Sequence, residues 1–137
     1  SHDHCALEHS VMKHGALLSI LLLSSCAMPQ YVSKGTQNGV EIAYRWNHPV
    51  GKPSELWLRL KNTTDQDKHL DLGIDLYYQG RTVEMFEADT CLRAGQLLNG
   101  KLNGIYFIPE RVTTAQIKDG SAEVETTRTL IEPASCP

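Results

Sequence analysis

Leu70-Asp71-Leu72-Gly73-Ile74-Asp75-Leu76-Tyr77-Tyr78 alternates apolar and polar side chains from end to end. Successive side chains of an extended chain point to opposite faces, so this run turns Leu70, Leu72, Ile74 and Leu76 to one side of a sheet. Asp71, Gly73, Asp75 and Tyr77 go to the other. The same period recurs upstream, where Leu56, Leu58 and Leu60 alternate with Trp57, Arg59 and Lys61, and Val40, Ile42, Tyr44 and Trp46 alternate with Glu41, Ala43 and Arg45. His48-Pro49-Val50-Gly51-Lys52-Pro53 breaks the pattern once and Asn62-Thr63-Thr64-Asp65-Gln66-Asp67 breaks it again, both with turn-forming residues.

The two leucine runs are expected to pair as an antiparallel hairpin. With Leu60 opposite Leu70, Leu58 meets Leu72 and Leu56 meets Ile74. On the other face Arg59 then falls opposite Asp71, and Trp57 opposite Gly73, a charge match and an indole covering a missing side chain. Further strands are expected over residues 83–88, 96–102, 105–108, 112–117 and 122–131, separated by Ala94-Gly95, Asn103-Gly104, Pro109-Glu110 and Lys118-Asp119-Gly120. No helical stripe stands out after Cys26. So many short strands in a chain of one-domain length point to an all-β, two-sheet antiparallel sandwich.

The amino-terminal quarter reads differently. Residues 16–23 run Ala-Leu-Leu-Ser-Ile-Leu-Leu-Leu, far short of the about 20 apolar residues a membrane-spanning helix needs. Met12, Lys13 and His14 precede this run and Leu23-Ser24-Ser25-Cys26 follows it. The arrangement resembles a bacterial lipoprotein signal peptide with its lipobox. The resemblance implies cleavage before Cys26 and lipid on its thiol, so the chain meets a membrane through that lipid. Several acyl chains, at about 0.8 kcal/mol per buried methylene, hold a protein stably. Ala27 rather than Asp after the cysteine implies the outer membrane in a Gram-negative cell, facing the periplasm or the surface. The expected organisation is an upstream extension of doubtful origin at 1–11, a signal peptide at 12–25, a lipid-anchored tether at 26–38 and the sandwich at 39–137.

Residues 56–81, with the Lys61-Asn62-Thr63-Thr64-Asp65 turn and the Ile74-Asp75-Leu76-Tyr77-Tyr78-Gln79-Gly80 end, are similar to small immunoglobulin-like domains of bacterial lipoproteins. That resemblance implies an immunoglobulin-like order of about seven strands. With Cys26 assigned to lipid and Cys5 upstream of Met12, Cys91 and Cys136 are left to form a disulfide in an exported domain. Closing a loop of that length stabilises by about 4 kcal/mol in the chain-entropy account.

Composition excludes some functions and supports no catalytic one. A formal net charge of -3, with Lys and Arg scattered among Asp and Glu, does not fit a nucleic-acid surface. Asp65, Asp67, Asp71 and Asp75 lack the spacing, glycine and glutamate of a calcium loop. His2, His4, Cys5 and His9 could suit zinc or copper, but read more simply as part of the upstream leader. His48 and His69 stand without a nucleophile motif, and Glu84, Glu87 and Asp89 could form a carboxylate pair but read more simply as chance neighbours on an acidic surface. Asn62-Thr63-Thr64 has the form of a glycosylation sequon but reads as turn chemistry. Residues 98–107 repeat Leu-Asn-Gly before Tyr106-Phe107 and read as a tight hairpin, and one of the two aromatics must point outward from a strand. No metal, cofactor or catalytic residue is therefore expected. The expected function is a non-enzymatic binding or assembly module meeting an envelope protein or glycan, with Trp57, Arg59, Tyr77 and Tyr106 as contact residues. The alternatives are a small-ligand or metal carrier or sensor, and an envelope hydrolase.

Overall fold

Alternating side chains on consecutive strands bury one face of each, and the chain solves this by laying two sheets against one another. The computed structural model describes residues 30–137. The extension at 1–11, the signal peptide at 12–25 and Cys26 lie outside the described residues. In chain order the strands are β1 (Val32–Gln37), β2 (Val40–Asn47), β3 (Glu55–Asn62), β4 (Lys68–Tyr78), β5 (Arg81–Leu92), β6 (Leu97–Asn99), β7 (Tyr106–Phe107) and β8 (Ala122–Pro133), with a short helix α1 (Thr114–Lys118) before β8. One sheet runs β1-β2-β3-β6, with β7 also on β3; the other runs β5-β4-β8. All pairings are antiparallel. The chain is thus an all-β sandwich. β3 pairs out of sequence with β6 and β7, and β4 with β8, so the chain crosses between the sheets more than once.

The expected hairpin of β3 with β4 does not form. β3 lies between β2 and β6, whereas β4 lies between β5 and β8. The Asn62–Asp67 connection instead carries the chain from one sheet to the other. The inward faces follow the alternation: Leu56, Leu60, Leu70, Leu72, Ile74 and Leu76 have no exposed surface and Leu58 has 1%. They meet across the sandwich rather than side by side within a sheet. Asp71 takes its charge partner from Arg128 on β8, at 3.2 Å, and not from Arg59. Trp57 covers a glycine, but the glycine is Gly100, where an added Cβ would lie 3.0–3.1 Å from indole carbons and the Trp57 Cβ.

Asn62 holds the crossover. Its side chain is fully buried; its amide donates to the carbonyls of Gln66 (2.7 Å), Leu92 (3.2 Å) and Arg93 (3.1 Å). Its Oδ1 accepts from the Thr64 amide and hydroxyl at 3.0 and 2.7 Å. The residue that suggested a glycosylation sequon is an interior clamp between the crossover and the end of β5.

Three further expectations change. The tether does not extend to residue 38, because residues 32–37 form β1 and pair with β2. Asn38-Gly39, with φ of 47° and 78°, makes the two-residue turn between them; both angles are positive, as a tight hairpin needs. Residues 112–117 contain α1 rather than a strand. Thr113 and Gln116 form a capping box, each side chain bonding the other's backbone N–H. Finally, β6 and β7 do not pair with each other but follow one another along β3, Asn99 opposite Arg59 and Tyr106 opposite Trp57. Between them Gly100 bonds the Leu58 carbonyl and Ile105 the Leu58 amide, so residues 101–104 leave the sheet as an excursion containing a 3₁₀ turn.

Cys91 at the end of β5 is joined to Cys136, with Cα atoms 5.6 Å apart. Asp67 reinforces the join: its carboxylate accepts from the amides of Ala94 and Cys136, both at 3.0 Å, and its carbonyl accepts from Ala134. Residues Tyr31–Pro137 form one compact unit around this core.

Candidate functional site

The outer face of the first sheet gathers aromatic rings and cations. The register sets Arg45 beside Trp57 and Ala43 beside Arg59, and Tyr106 on the other side of Trp57. All point away from the core. The Arg45 guanidinium sits 4.9 Å from the Trp57 ring centroid and 5.9 Å from that of Tyr31. Arg59 also lies 5.9 Å from Tyr31. Such distances fall within the range where a cation is drawn to a ring face. The excursion after β6 brings Lys101 back over Tyr106, 5.4 Å from its centroid.

Glu55 anchors this surface. It opens β3 with its side chain on the same face as Trp57, and it is 4% exposed. A buried carboxylate needs partners to stay charged. Lys101 Nζ lies 2.8 Å from it, Asn47 Nδ2 donates at 3.0 Å and Trp57 Nε1 at 3.1 Å. Burial pushes its pKa upward, but these three donors outweigh burial and hold it below the ordinary carboxylate range. The hydrogen bond to Glu55 raises the pKa of Lys101 in turn. Glu55 thereby fixes the indole orientation and ties the 101–104 excursion to the sheet.

The expected contact residues are only partly united. Trp57, Arg59 and Tyr106 share this face, and each is half-buried. Tyr77 does not join them: it lies on β4, on the outer face of the other sheet, opposite Thr82 and Glu123. The error follows from the hairpin, which would have put both strands in one sheet. Tyr31, Arg45, Glu55 and Lys101 were missed. Arg45 and Glu55 share the alternation parity of Trp57 and Arg59, a signal that was available; Tyr31 and Lys101 arrive through β1 and the excursion. Phe107 points inward and stacks on Phe86, centroids 4.8 Å apart.

The second sheet's outer face is acidic. Asp71, Asp75, Glu87, Asp89, Glu123 and Glu125 lie there by register. Arg128 bonds both Asp71 and Glu87 across Gly73.

The other sequence candidates are dispersed. His69 Nε2 lies 2.6 Å from Asp89, Glu87 meets Arg128, and Glu84 accepts the amides of Glu110 and Arg111 at 2.8 and 2.6 Å. Asp67 clamps the C-terminal segment, while Asp75 accepts from Thr82 and Thr127. His48 does have a hydroxyl partner that sequence reading missed: its Nδ1 is 2.8 Å from Ser54 Oγ, which is 2.7 Å from Thr114 Oγ1. Burial first, then the nearby charges of Lys118 and Arg45, lower the His48 pKa and favour the neutral ring. Ser54 is 3% exposed and engaged on both sides, so the chain of contacts joins the β2–β3 loop to α1 and leaves no approach to the hydroxyl.

Comparison with known proteins finds no matching family model, no matching curated protein and no matching solved structure.

Proposed function

We propose that this chain is a non-enzymatic binding or assembly module of a bacterial cell envelope. Lipid on Cys26 holds it at the outer membrane, and the outer face of the first sheet meets an envelope protein or glycan. The observation that carries the reading is the cluster of Tyr31, Arg45, Trp57, Arg59 and Tyr106, with the Trp57 indole held by the buried Glu55. Aromatic and arginine side chains dominate the energetics of binding surfaces, the aromatics by offering large contact area with few bonds to freeze and arginine by presenting a rigid fork of donors. Here they are held in place before a partner arrives, which lowers the ordering cost of association. The opposite sheet offers carboxylates instead, so the two faces would not serve the same partner.

Site-specific photo-crosslinking in living cells tests this reading. A crosslinker replacing Arg59 should capture a discrete partner, and one replacing Glu125 on the other sheet should not. Trp57→Ala should weaken that capture by at least about 1 kcal/mol. Equal capture from both faces, or capture indifferent to Trp57→Ala, would reject the surface. The anchor has its own test: Cys26→Ser should free the protein from membranes, and failure of a palmitate analogue to label Cys26 would remove the lipid from the proposal.

A further inference from the structure

At the end of the second sheet, where β4 turns into β5, lies a cleft of about 460 Å³ lined by Tyr78, Gln79, Arg81, Thr82, Val83 and Arg111. No lining residue is acidic. This contrasts with the hollow over Gly73 on the same sheet, which Asp75 and Glu87 help to line. Neither Arg81 nor Arg111 has a salt bridge or side-chain hydrogen bond among the described residues. That is unexpected in a chain with 16 acidic and 13 basic residues, because Glu84 is close enough to bond the Arg111 backbone. Its Oε1 is instead spent on the backbone amides of Glu110 and Arg111.

The cleft's walls are held in place. Those two amide bonds fix the backbone that carries Arg111. On the other wall, Gln79 and Gly80 both have positive φ, 53° and 77°. A left-handed glutamine is strained, and it delivers Arg81 at once after the turn. The strand pairing shifts register between Leu76 and Tyr77, leaving Val83 of β5 as the extra residue beside Thr82 and Arg81; such bulges re-aim the side chains around them. The Tyr78 hydroxyl accepts from Gln116 of α1 at 3.0 Å.

The geometry points to this cleft as a binding site for a phosphate ester. Two guanidinium forks suit a tetrahedral oxyanion, which offers acceptors on several sides, better than a planar carboxylate. The volume lies in the range of small-molecule sites and leaves room for a polar body attached to the phosphoryl group. Thr82 and Gln79 line the space that body would fill. The phosphate could belong to a soluble ester or to a phospholipid headgroup, and both share the chemistry described.

The test uses the full chain, isotope-labelled, with glycerol phosphate as the soluble probe and phosphatidylglycerol vesicles as the lipid probe. Saturable amide shifts at Thr82, Val83 and Arg111 with glycerol phosphate would support a soluble ester. Vesicle binding that is lost in the Arg81→Gln/Arg111→Gln variant, without shifts from glycerol phosphate, would support a headgroup. Each single substitution should weaken binding about tenfold or more, the worth of a charge-assisted hydrogen bond. Lys52→Gln, in the β2–β3 loop and outside the cleft lining, should change it little. An unaltered amide pattern in β4 and β5 confirms that the variants fold. Absence of binding to either probe, or binding that Lys52→Gln weakens as much as the arginine variants do, overturns the proposal.

Discussion

Asn62→Ala should destabilise the domain far more than its place in a polar turn sequence suggests. The Asn62 amide has two hydrogens shared among three carbonyls, and its oxygen accepts from Thr64 twice. Roughly four bonds at about 1 kcal/mol net each set the upper scale. The Thr64 hydroxyl already lies 3.0 Å from the Gln66 carbonyl and keeps that partner, so a loss of about 3 kcal/mol is expected. In urea, with a slope near 1.5 kcal/mol/M, the unfolding midpoint should fall by about 2 M. Asn62→Asp sharpens the test. A buried carboxylate facing three carbonyls has its folded-state pKa raised above the unfolded value. The folded state then binds more protons than the unfolded state between the two values, so the stability of this variant should increase as pH falls through that window. A loss below about 1 kcal/mol for Asn62→Ala, or an Asp variant whose stability relative to the parent is flat between pH 7 and 4, would refute the clamp.

Replacing Cys91 and Cys136 together by Ser should cost up to about 4 kcal/mol in chain entropy, read as a lower melting temperature that reductant reproduces in the parent; no shift in either would remove the disulfide's role. Glu55 has a lowered pKa, so its stabilisation is present above the ordinary value of 4.5 and lost as pH falls below it. Acid titration should therefore change the Trp57 environment in a Trp46→Phe background, and Glu55→Gln should abolish that change. Gly100→Ala should cost about 1–3 kcal/mol, because its φ of 32° disfavours a side chain and the new Cβ would crowd the Trp57 ring. Fluorescence quenching should find the indole more exposed in this variant, and an unchanged indole would contradict that packing.

Alternation determines which side of a strand is buried, because the side-chain period of two is a property of the extended chain itself. Hence Leu56, Leu58, Leu60, Leu70, Leu72, Ile74 and Leu76 were legible as core, and Trp57, Arg59 and Tyr106 as outward candidates. Cysteine arithmetic likewise singled out Cys91 and Cys136. Two signals were present but unused: Asn38-Gly39 announces the β1–β2 hairpin, and Thr113 with Gln116 announces the cap of α1. Pairing is another matter. A leucine run buries the same face whether its neighbour lies beside it in the sheet or across the core, so the alternation of β3 and β4 fits a hairpin and a crossover equally well. The decision falls to interactions remote in sequence: Asn62 reaching Leu92 and Arg93, β8 closing on β4, and β6 and β7 filling the edge of β3. Those same remote pairings put Tyr77 on the acidic sheet and brought Glu55, Lys101 and Tyr31 to Trp57, so the candidate surface is a product of the tertiary fold.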